Sequence, residues 1–478
     1  MIHTRIYLLI VICVALTIPV SLNGQMMKSA SLPKARGSII RFVPSVVHDS
    51  LTNGLKIVFA RVNDLPLVEI NVIVDAGLSR ETGDNTGVAY STNFLLMTGA
   101  KQRSTDAITT ELARLGSVIV PYVQYDYAQL YARSLRWNFS ASLELLSDIV
   151  TAPALSNGAL QRLQREARHR FGRQISFGER ATSAAVQRIC GEGCAMARYL
   201  TPTTSEVEEL SIEQVRSFYS TFYQPRNTTV LVTGDLEYPF LRTALNEAFG
   251  QWENESEDEV YAPDHSPRVM GSGDKDVLLI PDDNTPKGLC YFRIGMEGVP
   301  RYDADAPALM VLNSILSEAP SARLYKSLWI DRVVSDNFTS TLAFGRSCNY
   351  VMIAGSTSPL LADTVLLTIS DLLTDIIDNG VDKEVLEEAK NSIIGNDALS
   401  VATNRSVQRI LKDALVFGLP VDRLLETNQT IQDVRAEDVR RVAGRVCAPD
   451  QWRIAVLGKA ETVLPLLEAA GYTVRFAE

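Results

Sequence analysis

LSIEQVRSFYSTFYQPRNTTVLVTG, residues 210–234, returns in outline as VRAEDVRRVAGRVCAPDQWRIAVLG at residues 434–458, 224 positions later (234 to 458). Glu213 and Glu437, Val215 and Val439, Pro225 and Pro449, and Gly234 and Gly458 fall in register. In each copy an amphipathic helix pattern leads through a proline turn into a short β-branched run that stops at glycine. A repeat with this spacing is a duplicated domain, too long for a solenoid unit. Between the copies lies QWENESEDEVYAPDHSPRVMGSGDKD (251–276), acidic and rich in Pro, Gly and Ser, which is linker composition. The reading is an N-terminal domain over 40–250, a linker over 251–276 and a C-terminal domain over 277–478.

The first copy opens with two strand patterns, Leu55–Arg61 behind the Asn53–Gly54 turn signal and Leu67–Val74, expected to pair as neighbours. After Gly77 comes the polar loop LSRETGDNTG, whose Asp84, Asn85 and Thr86 are candidates to cap a helix over Val88–Met97. Helices are expected at Ala107–Leu115 and Ala141–Ile149, around a strand pair at Val118–Val123 and Tyr127–Leu135. Strands with covering helices make each half an α+β sandwich, so the fold class is α+β with two homologous sandwich domains.

Composition narrows the function. Of 478 residues, 46% are hydrophobic and 21% charged, which excludes a mostly disordered chain. The net charge of −10 offers no clustered Lys and Arg for phosphates, so nucleic acid is not the expected partner. Arg5 followed by the uncharged run IYLLIVICVALTIPVSL (6–22) reads as a secretory signal peptide over 1–24, with a single uncleaved anchor as the alternative. A mitochondrial presequence would be amphipathic and Arg-rich instead. The expected location is therefore outside the inner membrane, in the periplasm, with no stable membrane insertion after cleavage. Five cysteines remain after the signal: Cys190, Cys194, Cys290, Cys348 and Cys447. Cys190 and Cys194, in RICGEGC, suit a local disulfide, a metal, or simple packing.

Several segments in order carry a resemblance: LTNGLKIVFA, VEINVIVDAG behind a proline, the polar loop, GVAYSTNFLLMTGA, FYQPRNTTVLVTGDL, and ALMVLNSILSEAPSARLYKSL in the second half. Together they resemble the insulinase-like zinc metallopeptidases, the inverzincins, and within them the bacterial and mitochondrial-processing-peptidase-like subunits. The resemblance spans essentially the whole mature chain. It implies H-x-x-E-H on the helix after the polar loop, where this chain has Tyr90, Ser91, Thr92, Asn93 and Phe94. Two histidines at i and i+4 share a helix face and reach one metal, while the glutamate takes a proton from the bound water. Phe94 offers no donor, Tyr90 is a poor ligand unless deprotonated, and Asn93 has no useful basicity.

The resemblance also implies a third ligand, a glutamate roughly 75 residues on. In RLQREARHRFGRQ that place falls at or near His169, with Glu166 one turn earlier. A relocated zinc site would draw on His169, Cys190 and Cys194. In two-chain relatives one subunit supplies an arginine and a tyrosine, seven positions apart, for the developing oxyanion. Here those positions hold Trp329 and Asp336, with Arg332 between them. Relatives further bind extended peptide along an edge strand through an asparagine–alanine pair. Val120 and Pro121 in GSVIVPYVQYDY stand there, and Pro121 lacks the backbone donor. Tyr122, Tyr125 and Tyr127 suit either a peptide cleft or sheet packing.

The expectation is a secreted insulinase-like homologue that holds no zinc and performs no peptide hydrolysis of its own. Its implied role is the non-catalytic subunit of a heterodimer that encloses peptides with a zinc-bearing partner. The alternatives are an active zinc endopeptidase with a relocated site, and a structural envelope protein comparable to the core subunits of respiratory complexes.

Overall fold

The computed structural model describes residues 45–477 apart from 63–64, 172–174, 192–193, 256–275, 320, 401–403 and 421–426. The expected signal segment over 1–24 and most of the expected linker lie outside the described residues. Among the described residues no helix is long and apolar enough to cross a membrane.

Twelve strands form two six-stranded sheets. The first contains β1 (Val46–Ser50), β2 (Lys56–Arg61), β3 (Leu67–Val74), β4 (Val118–Val123), β5 (Ala128–Leu135) and β6 (Thr228–Gly234), in the order β1-β2-β6-β3-β5-β4. The second contains β7 (Asp276–Pro281), β8 (Cys290–Glu297), β9 (Thr339–Phe344), β10 (Asn349–Thr357), β11 (Arg453–Gly458) and β12 (Thr473–Phe476), in the order β9-β10-β8-β11-β7-β12. Reversing one order lays β2 on β7, β6 on β11, β3 on β8, β5 on β10 and β4 on β9. The sixth strands break the symmetry, since β1 pairs antiparallel with β2 whereas β12 pairs parallel with β7.

The expected pairing of the first two strand patterns is corrected. β6 lies between β2 and β3, parallel to the first and antiparallel to the second. Its run TTVLVTG is buried along nearly its whole length, as a central strand covered on both faces must be. The repeated glycine closes this strand for one reason in both halves. A Cβ on Gly234 would lie 2.5 Å from Leu67 O, and one on Gly458 would lie 2.7 Å from Cys290 Cβ. Only a residue without a side chain admits the neighbouring strand there.

On one face of the first sheet pack α1 (Val88–Leu95), α2 (Thr105–Leu115), α3 (Phe139–Thr151), α4 (Asn157–Phe171), α6 (Ile212–Phe222) and α7 (Tyr238–Phe249), around a core with Ile70, Phe139, Tyr223 and Phe249. The second sheet repeats this with α8 (Ala306–Asn313), α9 (Ala362–Asn379), α10 (Lys383–Ser400), α12 (Ala436–Val446) and α13 (Ala460–Ala469), around Phe292, Ile294 and Trp452.

Two helices change sides. α5 (Phe177–Cys190), from the first half, lays Ala185, Val186 and Ile189 on Met352 and Ala455 of the second sheet. α11 (Asn404–Phe417), from the second half, lays Leu411 and Ala414 on Val58, Ala60, Ile73 and Leu231 of the first. Each fully buried Leu, Val or Ile contributes about 1.5–3 kcal/mol, so the exchange is a substantial apolar interface. Polar ties add direction: Arg188 donates to Ile454 O at 2.6 Å and pairs with Asp276 at 2.9 Å, and Arg293 donates to Thr182 at 2.7 Å.

Asp305, ahead of α8, accepts from Arg441 and, at 2.8 Å, from Arg445, both on α12. Burial pulls its carboxyl up, but the two guanidiniums outweigh it and hold the group below the usual carboxylate range. The stabilisation is therefore complete above the unfolded value of about 4 and is lost as pH falls through the folded one. Asp305→Asn is expected to cost about 1–2 kcal/mol at pH 7, with the difference from the parent shrinking as pH falls below the ordinary carboxylate range. Urea unfolding across pH checks it, and a pH-independent difference would refute the assignment.

Candidate functional site

The polar loop delivers one acid to the site helix. Glu81, with its side chain 1% exposed, accepts from Gly87 N at 3.2 Å and Ala89 N at 2.8 Å, and pairs with Arg198. It caps the first turn of α1, where Gly87 takes φ of 83° and no side chain caps from the usual position. The expected caps Asp84, Asn85 and Thr86 lie just upstream, with Gly83–Asn85 forming its own short turn. Burial pushes the Glu81 carboxyl upward against the pull of Arg198. Local spacing did not point to Glu81, because it reaches the helix from six residues before Gly87.

Within α1 the five residues at the motif have distinct roles. Tyr90 and Phe94, one turn apart, stack with centroids 6.4 Å apart and planes 5° from parallel. They pack on a small apolar cluster of Leu163 and Ala167 from α4 and Val207. Asn93 is 1% exposed. Its amide donates to Tyr122 O at 2.9 Å and Gln129 O at 3.3 Å, and its carbonyl oxygen accepts from the Tyr223 hydroxyl at 3.3 Å. Asn93 thus ties α1 to the β4–β5 hairpin. Ser91 and Thr92 are fully buried beside it.

On α4, Leu163 and Ala167 carry the face that meets Tyr90 and Phe94, while His169 is exposed on another face. Gln164 fastens the following segment by donating to Val207 O, Glu208 O and Leu210 O. Among the described residues, the one trio of His, Cys, Asp or Glu groups close enough to share an ion is Cys190, Cys194 and Cys348, with sulfurs within 4.8 Å of one another. The set of His169, Cys190 and Cys194 is not brought together. Cys190 is instead disulfide-bonded to Cys348 of the second half, a pairing the local spacing of Cys190 and Cys194 did not suggest.

Residues 57–176 match the family model described as insulinase, peptidase family M16, and residues 209–393 match the model described as peptidase M16 inactive domain. The chain belongs to peptidase family M16, the insulinase family. It is 22% identical over 411 residues to an uncharacterized zinc protease of Streptomyces coelicolor, covering 84% of this chain and 87% of that one. It is 22% identical to a probable mitochondrial-processing peptidase subunit beta of Schizosaccharomyces pombe, over 92% of this chain and 97% of that one. A solved structure from Pseudomonas fluorescens, described as a peptidase M16 inactive domain, superposes with a TM-score of 0.77 at 20% identity, over 87% of this chain and 98% of that one.

The zinc of M16 enzymes can be tested against this helix. A dication needs nitrogen, thiolate or carboxylate donors around it. At the i and i+4 positions this M16 chain presents two stacked rings, and opposite them Leu163 and Ala167. The donor set does not fit the metal, and α1 offers no group for a zinc-dependent step. The oxyanion positions fare alike: Trp329 is partly exposed on a short helix and Asp336 is exposed beyond it. Arg332 turns onto α9, donating to Thr368 at 2.8 Å and pairing with Asp371 at 3.5 Å.

The edge of the first M16 sheet is β4, with Pro121 opposite Leu130 and Tyr122 exposed. Pro121 interrupts the donor row that an added strand would use. Where the halves meet, a cavity of about 430 Å³ is lined by Ile189 and Cys190 of α5, Arg301 and Tyr302, the 345–349 turn and Leu415–Gly418. Arg346 crosses this junction to pair with Asp75 at 3.1 Å and to donate to Val416 O at 2.8 Å.

Proposed function

We propose that this M16 chain is a secreted, non-catalytic subunit that encloses peptides together with a zinc-bearing insulinase-like partner. The observation that carries the reading is the packing of Tyr90 and Phe94 on Leu163 and Ala167, with the Asn93 amide committed to two backbone carbonyls. A helix so occupied contributes shape to a chamber, and a chamber wall still positions substrate and excludes water. The likeness to a chain named as a subunit of a processing peptidase supports a two-chain arrangement. The Cys190–Cys348 bridge supports an oxidising compartment such as the periplasm, in line with the apolar run at 6–22.

The test is metal content and peptide cleavage by the purified chain, alone and with an M16 chain that has an intact H-x-x-E-H motif. The chain alone is expected to retain zinc near zero per molecule and to leave a fluorogenic peptide uncut. Cleavage by the mixture should exceed that of the zinc-bearing chain alone. One zinc per chain with chelator-sensitive cleavage by the lone protein would overturn the reading in favour of a relocated site. A stable assembly that leaves cleavage unchanged would overturn it in favour of a structural role.

A further inference from the structure

The three sulfurs at the junction of the halves are arranged for more than one pairing. Cys190 ends α5, Cys348 sits in the turn between β9 and β10, and Cys194 follows α5 as a half-buried thiol. All three sulfurs lie within 4.8 Å of one another, so the thiol of Cys194 borders a disulfide whose partners belong to different halves. The bridge lines the 430 Å³ cavity through both of its cysteines, which gives small solutes a route to it. Burial, helped by the Asp126 carboxylate, pushes the Cys194 thiol upward, and the backbone N–H groups of Met196 and Ala197 that point at its sulfur only partly offset this, so the exchange rests on the proximity of the three sulfurs.

We infer that Cys190, Cys194 and Cys348 form a thiol–disulfide exchange site that moves one bridge between two positions, Cys190–Cys348 across the halves and Cys190–Cys194 within the first. The Cys194 thiolate attacks the Cys190 sulfur, a new S–S bond forms, and the old one breaks with Cys348 leaving as thiolate. Cys348 then takes up the proton that Cys194 gave up. One disulfide and one thiol are present before and after, so neither oxidant nor reductant is consumed. The exchange releases the 345–349 turn from the end of α5 and removes the covalent tie across the cavity. A neighbouring thiol would serve no such purpose if it lay beyond contact, and Cys290 and Cys447 are buried apart from this group.

A specific protease site placed in the 251–276 linker of the full chain makes the two forms visible. After cleavage, alkylation of free thiols in the native state and a non-reducing gel, Cys190–Cys348 keeps the halves joined and Cys190–Cys194 lets them separate. The parent is expected to give both populations. Cys194→Ala should abolish the separated one, and Cys348→Ala should abolish the joined one while mass mapping recovers Cys190–Cys194. A parent that stays fully joined, with the same pattern as Cys194→Ala and with Cys194 alkylated, would overturn the inference. So would a chain whose three thiols resist alkylation in the native state and hold one zinc ion, because the group would then be a metal centre. The experiment reads bonding alone, so it stands or fails independently of the proposed partner.

Discussion

Asn93→Glu, the substitution that writes the M16 general base back into the helix, is expected to cost about 3–5 kcal/mol in stability and to restore no activity. The Asn93 amide gives its two N–H bonds to Tyr122 O and Gln129 O. A carboxylate at that position loses both donors and faces two carbonyl oxygens, and only the Tyr223 hydroxyl still points a proton at it. With the site 1% exposed, water cannot make up the difference. The full replacement, Tyr90→His with Asn93→Glu and Phe94→His, adds two imidazoles to the apolar cluster of Leu163, Ala167 and Val207 and still lacks the ligand from α4. Urea unfolding of the single variant and metal analysis of the triple variant check both statements. A triple variant as stable as the parent and carrying one zinc would mean that the helix retains a metal pocket.

Cys348→Ser is expected to lower stability by about 2–4 kcal/mol, because the bridge to Cys190 closes a loop with a sequence separation of 158 residues. Long loops lose the most chain entropy in the unfolded state when they are closed. The bridge also couples two halves that each have their own core, so the variant should unfold over a broader or split transition where the Cys190–Cys348 form of the parent shows one. Denaturant unfolding under non-reducing conditions gives the comparison. An unchanged midpoint and slope would show that the exchanged helices α5 and α11 alone hold the halves together.

Much of the first half was legible locally. The helices around 105–115 and 139–151 and the strands at 118–123 and 128–135 stand where apolar spacing placed them, because amphipathic periodicity is written in neighbouring residues. The helix after the polar loop begins at Val88 as expected. Its cap was missed because Glu81 folds back across the loop, and no spacing rule covers that reach. The neighbouring places of β2 and β3 were misread for a similar reason. Their adjacency in sequence suggested a pair, while the strand that separates them arrives more than 150 residues later.

The residues alone show a duplicated α+β chain, and their resemblance to the insulinase-like family puts Tyr90 and Phe94 at its metal-binding positions and Asn93 at its general-base position. Repeat register, periodicity and donor chemistry are properties of the residues themselves and need no coordinates. Folding in three dimensions settles the rest: Asn93 secures the β4–β5 hairpin, α5 and α11 exchange sheets, and Cys190 bonds Cys348 rather than Cys194. These are contacts between residues remote in the chain. Their partners are chosen by how whole faces pack, and that information is spread over both halves at once.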